Sequence, residues 1–423
     1  MTEQQNQTWL QRLKDESWEA ELLVAAISIY STFQLFGFVE WVTDIFISIL
    51  PQSFYNAAYF VVYSALLAIS ILSSMFIIHF MLRAYWVGLV GLNSVFDDYE
   101  VDDSRSSKLY LEKLIMALPK LNDSVNKADR LCSVIFSAAF ALLMAYGWIF
   151  FSTALSLLLA NVLVEFLPIY IILLPIYIIG GLVVLQMVIS LVCNMPRNKD
   201  KEELQTLYFK LSMMTSLLSF GPLYKAIMQI SALFSTNFKK DKALVKLVIF
   251  FICCGFAMSA VRIIPTNILY LIKPTAYNNP TKAEPRYYFD QSENETFLVS
   301  PQLQSDIISS PTLEIFVPVF SSERRLYDDR CEALSTLEDP SRLEKREARL
   351  VCLKEFHSVT INGTKVDFEL IQSGHVYTQQ YGAKLFVKLS DSMESGLYKV
   401  EVSKLIYEEP QVSTVPFYYQ VRK

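Results

Sequence analysis

Five apolar segments come close to the length that crosses a bilayer, and they restrict the fold more than any other feature of the chain. A helix rises 1.5 Å per residue, so about 30 Å of hydrocarbon takes about 20 apolar residues to cross. The first segment, 22–39, is entered from Glu19 and Glu21 and left at Glu40 and Trp41. The second, 57–81, carries no charge unless His79 is protonated. The third, 131–164, is longer than a crossing needs and must tilt or lay its last turns along the surface. The fourth, 166–193, has Pro168 and Pro175 near its start, where a kink is expected. The fifth, 247–264, has only a 15-residue core, 247–261, between Lys246 and Arg262. Long basic side chains at such ends snorkel outward and extend the effective span.

Two further stretches are apolar without qualifying. Segment 204–234 is interrupted by Lys210 and Lys225 and broken at Gly221-Pro222, and its longest uncharged run, 211–224, is rich in Ser and Thr. It reads as two short amphipathic helices lying in the interface. Segment 84–118 is also read as interfacial, with 84–96 either continuing the second segment or forming a surface helix, and with Leu111, Leu114, Ile115 and Leu118 forming a helical stripe before the third. Basic residues set the orientation, because Lys and Arg favour cytoplasmic loops. Sixteen of them lie between the second and third segments or between the fourth and fifth, while 40–56 and the turn at Glu165 hold none. Arg12 and Lys14 place the polar N-terminal segment, 1–21, on the basic side as well. A sixth crossing through 211–224 would carry Lys239, Lys240 and Lys242 to the wrong face. Five crossings follow, with the N-terminus cytoplasmic and 273–423 outside a plasma (inner) membrane.

Composition changes after Lys273. The whole chain is 53% hydrophobic and 19% charged, against about 45–50% and 25% in soluble domains, and the excess of apolar residues is confined to the first 272. Beyond it, Pro280 and Pro285 mark a polar linker, followed by short apolar runs between turn residues. Residues 313–320 read as a strand, and 359–370 as a hairpin around Asn362-Gly363, the pair that a type I′ turn demands. Strands are also expected at 384–389, 396–402 and 415–421. Residues 341–356 read as a helix, with Ser341 and Glu344 as a capping box. The stretch 391–402, with Tyr398 after Gly396, resembles the penultimate strand of an immunoglobulin-like sandwich, whose tyrosine corner follows an Asp and a Gly. Val400 stands where that pattern has Cys, and all five Trp precede Phe150. The expected fold is thus an all-α membrane bundle of five transmembrane helices plus interfacial helices, followed by a mainly-β, sandwich-like domain with a helical insertion.

Of six cysteines, Cys132, Cys193, Cys253 and Cys254 lie in apolar segments and read as small buried hydrophobes. Cys331 and Cys352 flank much of the insertion, and two readings stay open for them. In an oxidising compartment they form a disulfide contributing about 3 kcal/mol; otherwise they are thiols on the stripe of Leu334, Leu350 and Leu353.

Motifs for chemistry are missing. His79, His357 and His375 are scattered, and no H-E-x-x-H or C-x-x-C spacing suggests a metal. No Gly-rich phosphate loop and no G-x-S-x-G elbow occurs, so no cofactor and no nucleophile is expected. The acids between Asp97 and Asp103 depart from a calcium loop, with Asp103 where Gly is required and Leu109 where Glu is. Asn294-Glu-Thr and Asn362-Gly-Thr are sequons that matter only in a eukaryotic secretory route. Scattered lysines and a net charge of −5 argue against nucleic acid. Arg262, Glu165 and Glu40 fall near the outer membrane surface and are expected to pair there, fixing helix ends. The expected role is a non-enzymatic envelope scaffold or complex subunit whose outer domain binds a protein partner. A transporter or channel component capped by that domain is the alternative, and a membrane-embedded enzyme the third reading.

Overall fold

The computed structural model describes residues 3–96, 107–164, 166–238, 242–274, 283–292, 297–336, 341–390, 392–407 and 409–421. The chain is mostly helical and forms two compact units, one of Met1–Val39 with Tyr63–Arg262, the other of Glu40–Val62 with Ile263–Lys423. The larger segment of the second unit begins at Ile263, ten residues before Lys273. Within this unit Asn267 ties the two segments together, its amide nitrogen donating to Phe297 O (3.0 Å) and to Asp44 Oδ1 (3.2 Å).

Eight helices are described up to Arg262: α1 (Glu3–Ile49), α2 (Tyr55–Val95), α3 (Lys108–Ala117), α4 (Leu121–Leu163), α5 (Ile169–Cys193), α6 (Glu202–Phe220), α7 (Tyr224–Phe238) and α8 (Lys242–Arg262). Among the described residues, five stretches are long and apolar enough to cross a membrane: Ala20–Ile49, Gln52–Val95, Lys108–Leu163, Glu202–Thr236 and Val245–Arg262. Four of them contain most of the expected segments 22–39, 57–81, 131–164 and 247–264. The remaining expected segment, 166–193, yields the 25-residue α5. Segment 84–118 divides, its first part prolonging α2 to Val95 and its last part forming α3.

The stretch Glu202–Thr236 is not one helix. A single 3-10 turn, Gly221–Leu223, separates α6 from α7. Gly221 has φ +52°, which side-chain-bearing residues rarely adopt, and Pro222 lacks the amide to continue a helix. A Cβ at Gly221 would lie 2.4 Å from Trp148 Cζ2, so the turn presses directly on the indole of α4.

Contacts along the first unit fix the direction of α1, α2, α4, α5, α6 and α8 relative to one another. Arg83 of α2 reaches Glu21 of α1 and Asp129 of α4, which puts these residues at one level. From there α2 and α4 run antiparallel, with His79 against Cys132 and Phe76 against Phe140. Gly255 of α8 abuts Ile71, and Arg262 lies over Phe36, so α8 starts near the Arg83 level and rises away from it. Helix α6 climbs antiparallel to α5, with Gln205 on Cys193 O (3.2 Å) and Gln186 on Ser212 (3.3 Å). Its end meets Trp148, about 28 Å above Asp129 at 1.5 Å per residue. Were α7 to continue upward, its end would stand about 50 Å above the start of α8, whereas the chain between Phe238 and Lys242 spans at most about 14 Å. Helix α7 therefore returns, and α6–α7 is a hairpin with both ends toward the Arg83 level.

In the second unit, β1 (Gln302–Leu303), β2 (Ile307–Ile308) and β3 (Thr312–Pro318) precede helices α9 (Ser321–Arg330), α10 (Glu332–Ser335) and α11 (Arg342–Glu355). Strands β4 (His357–Ile361), β5 (Thr364–Val366), β6 (Glu369–Gly374), β7 (Tyr381–Lys388), β8 (Gly396–Lys404) and β9 (Gln411–Tyr419) follow. They form two sheets, β1-β3-β7-β6 and β2-β9-β8-β4-β5. Alternation along the strands buries Leu313, Ile315, Val317, Leu385 and Val387 from one sheet in the same apolar cluster as Val359, Val400, Val402, Val415 and Phe417 from the other. The turn at Asn362-Gly363 has φ of 48° and 81°, with Ile361 paired to Thr364. The expected hairpin 359–370 is cut short, because the chain leaves one sheet after Val366 and enters the other at Glu369. Ser341 and Glu344 do cap α11, each side chain accepting from the other's backbone amide.

Replacing Gly221 with Ala adds a Cβ at a positive φ and against Trp148, and strain of this kind costs on the order of 1–3 kcal/mol. Gly37, whose added Cβ would meet nothing within 4 Å, is the control. Thermal unfolding of the detergent-solubilised protein is expected to shift down for Gly221→Ala and to stay near wild type for Gly37→Ala.

Candidate functional site

The first unit holds a charged node among apolar helices. Arg83 is 2% exposed, yet its guanidinium pairs with Asp129 Oδ1 at 2.7 Å and with Glu21 Oε2 at 3.3 Å, and packs over the Trp86 ring. His79, one turn earlier and fully buried, has Nδ1 3.1 Å from Cys132 O, while its Nε2 has no hydrogen-bond partner. One cation thus ties α1, α2 and α4. A second polar group joins α5 to α6: Gln186 donates to Ser212, and Thr215 donates to the Gln186 amide oxygen. A cavity of about 270 Å³ opens among α1, α2 and α4, with Leu35, Phe38, Leu72, Leu142 and Phe150 in its walls. No charged or amide side chain lines it.

The second unit has its own buried ion pair. Glu323 of α9 is fully buried and receives Lys404 Nζ of β8 at 2.8 and 2.9 Å, the Tyr407 hydroxyl at 2.6 Å and the Phe320 amide at 2.8 Å. Lys404 also donates to Pro318 O at 2.7 Å. These bonds fasten the helical insertion to both sheets. Burial pushes the Tyr407 hydroxyl far above its ordinary range, which keeps it a donor. Nearby, buried His357 donates through Nδ1 to Leu353 O at 2.7 Å. Burial first, and the Lys404 charge second, push its pKa down to about 4.

Two cavities with mixed walls belong to this unit. One, about 250 Å³, lies on the four-stranded sheet among Phe289, Phe316, His375 and the Glu314–Lys384 ion pair. His375 is held by Gln302 Oε1 (2.9 Å) and Thr378 (3.0 Å), and burial lowers its pKa. The other, about 190 Å³, lies between the helical insertion and strands β6 and β7.

Cys331 and Cys352 are joined as a disulfide with Cα atoms 5.7 Å apart, linking the start of α10 to α11. The Arg262 guanidinium carbon stands 4.8 Å from the centroid of the Phe36 ring. Glu165 lies outside the described residues, as do the acids from Asp97 to Asp103 and the sequon at Asn294, while Glu40 lies on α1. Sequence reasoning missed the Arg83 node and the Glu323–Lys404 pair. For the first, the signal available was an acid or base at the edge of each of three apolar segments; for the second there was none. Among the described residues, no three His, Cys, Asp or Glu cluster to hold a metal ion. Comparison with family models, with curated proteins and with solved structures gave no match.

Two stability measurements test the second unit. Breaking a buried ion pair from one side costs about 3–5 kcal/mol, so Glu323→Gln is expected to accelerate hydrogen exchange of β8 in the full-length protein. His357 binds its proton more weakly folded than unfolded, so its contribution is present above about pH 6.5 and is lost as pH falls toward 4. That contribution is about 3 kcal/mol. Urea unfolding of the C-terminal unit, followed by hydrogen exchange between those pH values, should show a steeper loss in wild type than in His357→Gln.

Proposed function

We propose that this is a five-crossing inner-membrane protein that anchors and displays a sandwich-like, immunoglobulin-like domain on the extracytoplasmic side, where the domain binds a partner without catalysing a reaction. The observation that carries this reading is the contrast between the described cavities: the cavity among α1, α2 and α4 has no charged or amide side chain in its walls, whereas the two in the C-terminal unit have mixed polar and aromatic walls. A binding surface needs placed polar groups among apolar ones, and a transport path needs polar groups at mid-depth. The sandwich-like reading is supported by the single apolar cluster drawn from both sheets. It gains from Tyr398, whose hydroxyl donates to Glu394 O four residues upstream at 3.0 Å, the bond that a tyrosine corner makes.

The α6–α7 hairpin supports the count of crossings. Entering and leaving on one face, it keeps Lys201 and Lys242 together on the basic side, and α1, α2, α4, α5 and α8 remain as the five crossings. A transport role is the second reading, favoured by the same hairpin, since broken helices and polar side chains mark many substrate paths. Its polar group is closed on itself by the Gln186, Ser212 and Thr215 bonds, which ranks anchoring first.

A reporter fused after Lys423 should be active only when extracytoplasmic; activity in the cytoplasm would overturn the topology. Cysteines introduced at Ser235 and at Glu203 should both label from the cytoplasmic side in inverted vesicles, and labelling from opposite sides would make α6–α7 a crossing.

A further inference from the structure

The smaller mixed cavity lies beside the disulfide, with Cys352 in its wall. Two guanidiniums face it and are differently occupied. Arg349 is satisfied by Asp328 in a two-point pair, Nε to Oδ1 at 3.0 Å and Nη2 to Oδ2 at 2.8 Å. Arg324 stacks on Tyr381, its Cζ 3.6 Å from the ring centroid, and pairs with no carboxylate among the described residues. Stacking immobilises a guanidinium by its face and leaves the donor edge for a planar acceptor. A second group is also unfulfilled: Tyr327 lines the cavity and is 5% exposed, and its buried hydroxyl has no hydrogen-bond partner. A buried donor left without an acceptor is costly, and a ligand oxygen would relieve it. The remaining wall is apolar, supplied by Val319, Leu334 and Leu353.

We propose that this cavity binds a carboxylate carrying a small apolar body. Arg324 takes the two carboxylate oxygens, the Tyr327 hydroxyl supplies a further donor, and the aliphatic wall covers the body. With Asp328 committed to Arg349, one positive charge is left uncompensated, which matches the single charge of a carboxylate and leaves a phosphate dianion in excess. The carboxylate is either that of a free organic acid or the C-terminus of a partner chain ending in an aliphatic residue. The site gives a ligand class to the domain already read as the binding part of the protein and rests on that reading; the topology assays and the binding assay fail independently.

The test is ligand-observed saturation-transfer NMR on the full-length protein in lipid nanodiscs, with isocaproate and its uncharged isostere isocaproamide as probes. Isocaproate should bind saturably and the amide should not. Arg324→Gln should weaken isocaproate about tenfold, and Tyr327→Phe should weaken it by a smaller factor. Thermal unfolding and an intact Cys331–Cys352 bond check that each variant is folded, and Arg324→Lys, which keeps the charge without the fork, should bind between the two. Displacement of isocaproate by a tripeptide ending in Leu with a free carboxylate, and not by its amide, assigns the site to a partner terminus; no displacement assigns it to a free acid. Equal binding of acid and amide, unchanged binding in Arg324→Gln, or stronger competition by inorganic phosphate would overturn the proposal.

Discussion

Arg83 organises the helical unit. A guanidinium buried among apolar helices costs several kcal/mol unless it is paired and hydrogen-bonded, and here two carboxylates from two other helices meet it. Arg suits this position because its planar fork addresses two acceptors at once, which a lysine ammonium does less well. The consequence is one of register: α1, α2 and α4 are aligned at a single level, and sliding any one of them by a turn would strand a charge. Apolar ridges alone, such as those of Leu72, Phe76, Ile135 and Phe251, would tolerate several alignments of similar energy. The second unit uses the same device at Glu323 and Lys404, where a helix lying outside both sheets is located by one buried pair and the bonds around it.

The α6–α7 hairpin meets a different constraint. Interrupting a helix releases backbone groups that must find partners or be covered by protein. Gly221 permits the change of direction, Pro222 has no amide to leave unpaired, and Trp148 closes over the turn. Gln186, Ser212 and Thr215 then hold the rising arm to α5. A break that would be a defect in an isolated helix is thereby absorbed by its neighbours.

Much of this was legible in the chain. The long apolar helices announce themselves through length, the break at Gly221-Pro222 through two residues, and the turn at Asn362-Gly363 and the cap at Ser341 through local chemistry. Each depends on neighbours in sequence. What could not be read depends on neighbours in space. Segment 204–234 reads as amphipathic from its serines and threonines, and nothing in it says that Ser212 and Thr215 meet Gln186 of α5. Helix α9 went unseen because Ser321–Arg330 has hardly any apolar residues to set a period, and its place is decided by Glu323 reaching Lys404, 81 residues away. The expected hairpin 359–370 runs past its true end at Val366, because alternation says that a stretch is a strand and not which strand it joins. Of the cavity beside the disulfide, Cys352, Leu334 and Leu353 were marked in advance; Arg324, Tyr327 and Tyr381 come together through the fold.

The composition of the second unit bears on how the protein is made. Its segment Glu40–Val62 emerges early, while the rest begins at Ile263, about 200 residues later. At ordinary synthesis rates that interval is roughly 10–40 s. Throughout it Asp44 has no Asn267 to bond and Tyr55 has no Tyr270 to pack against. Contacts so distant in sequence are closed late and at an entropic cost. The contacts that join Glu40–Val62 to Ile263–Lys423 are therefore completed only after every helix between the two segments has been synthesised.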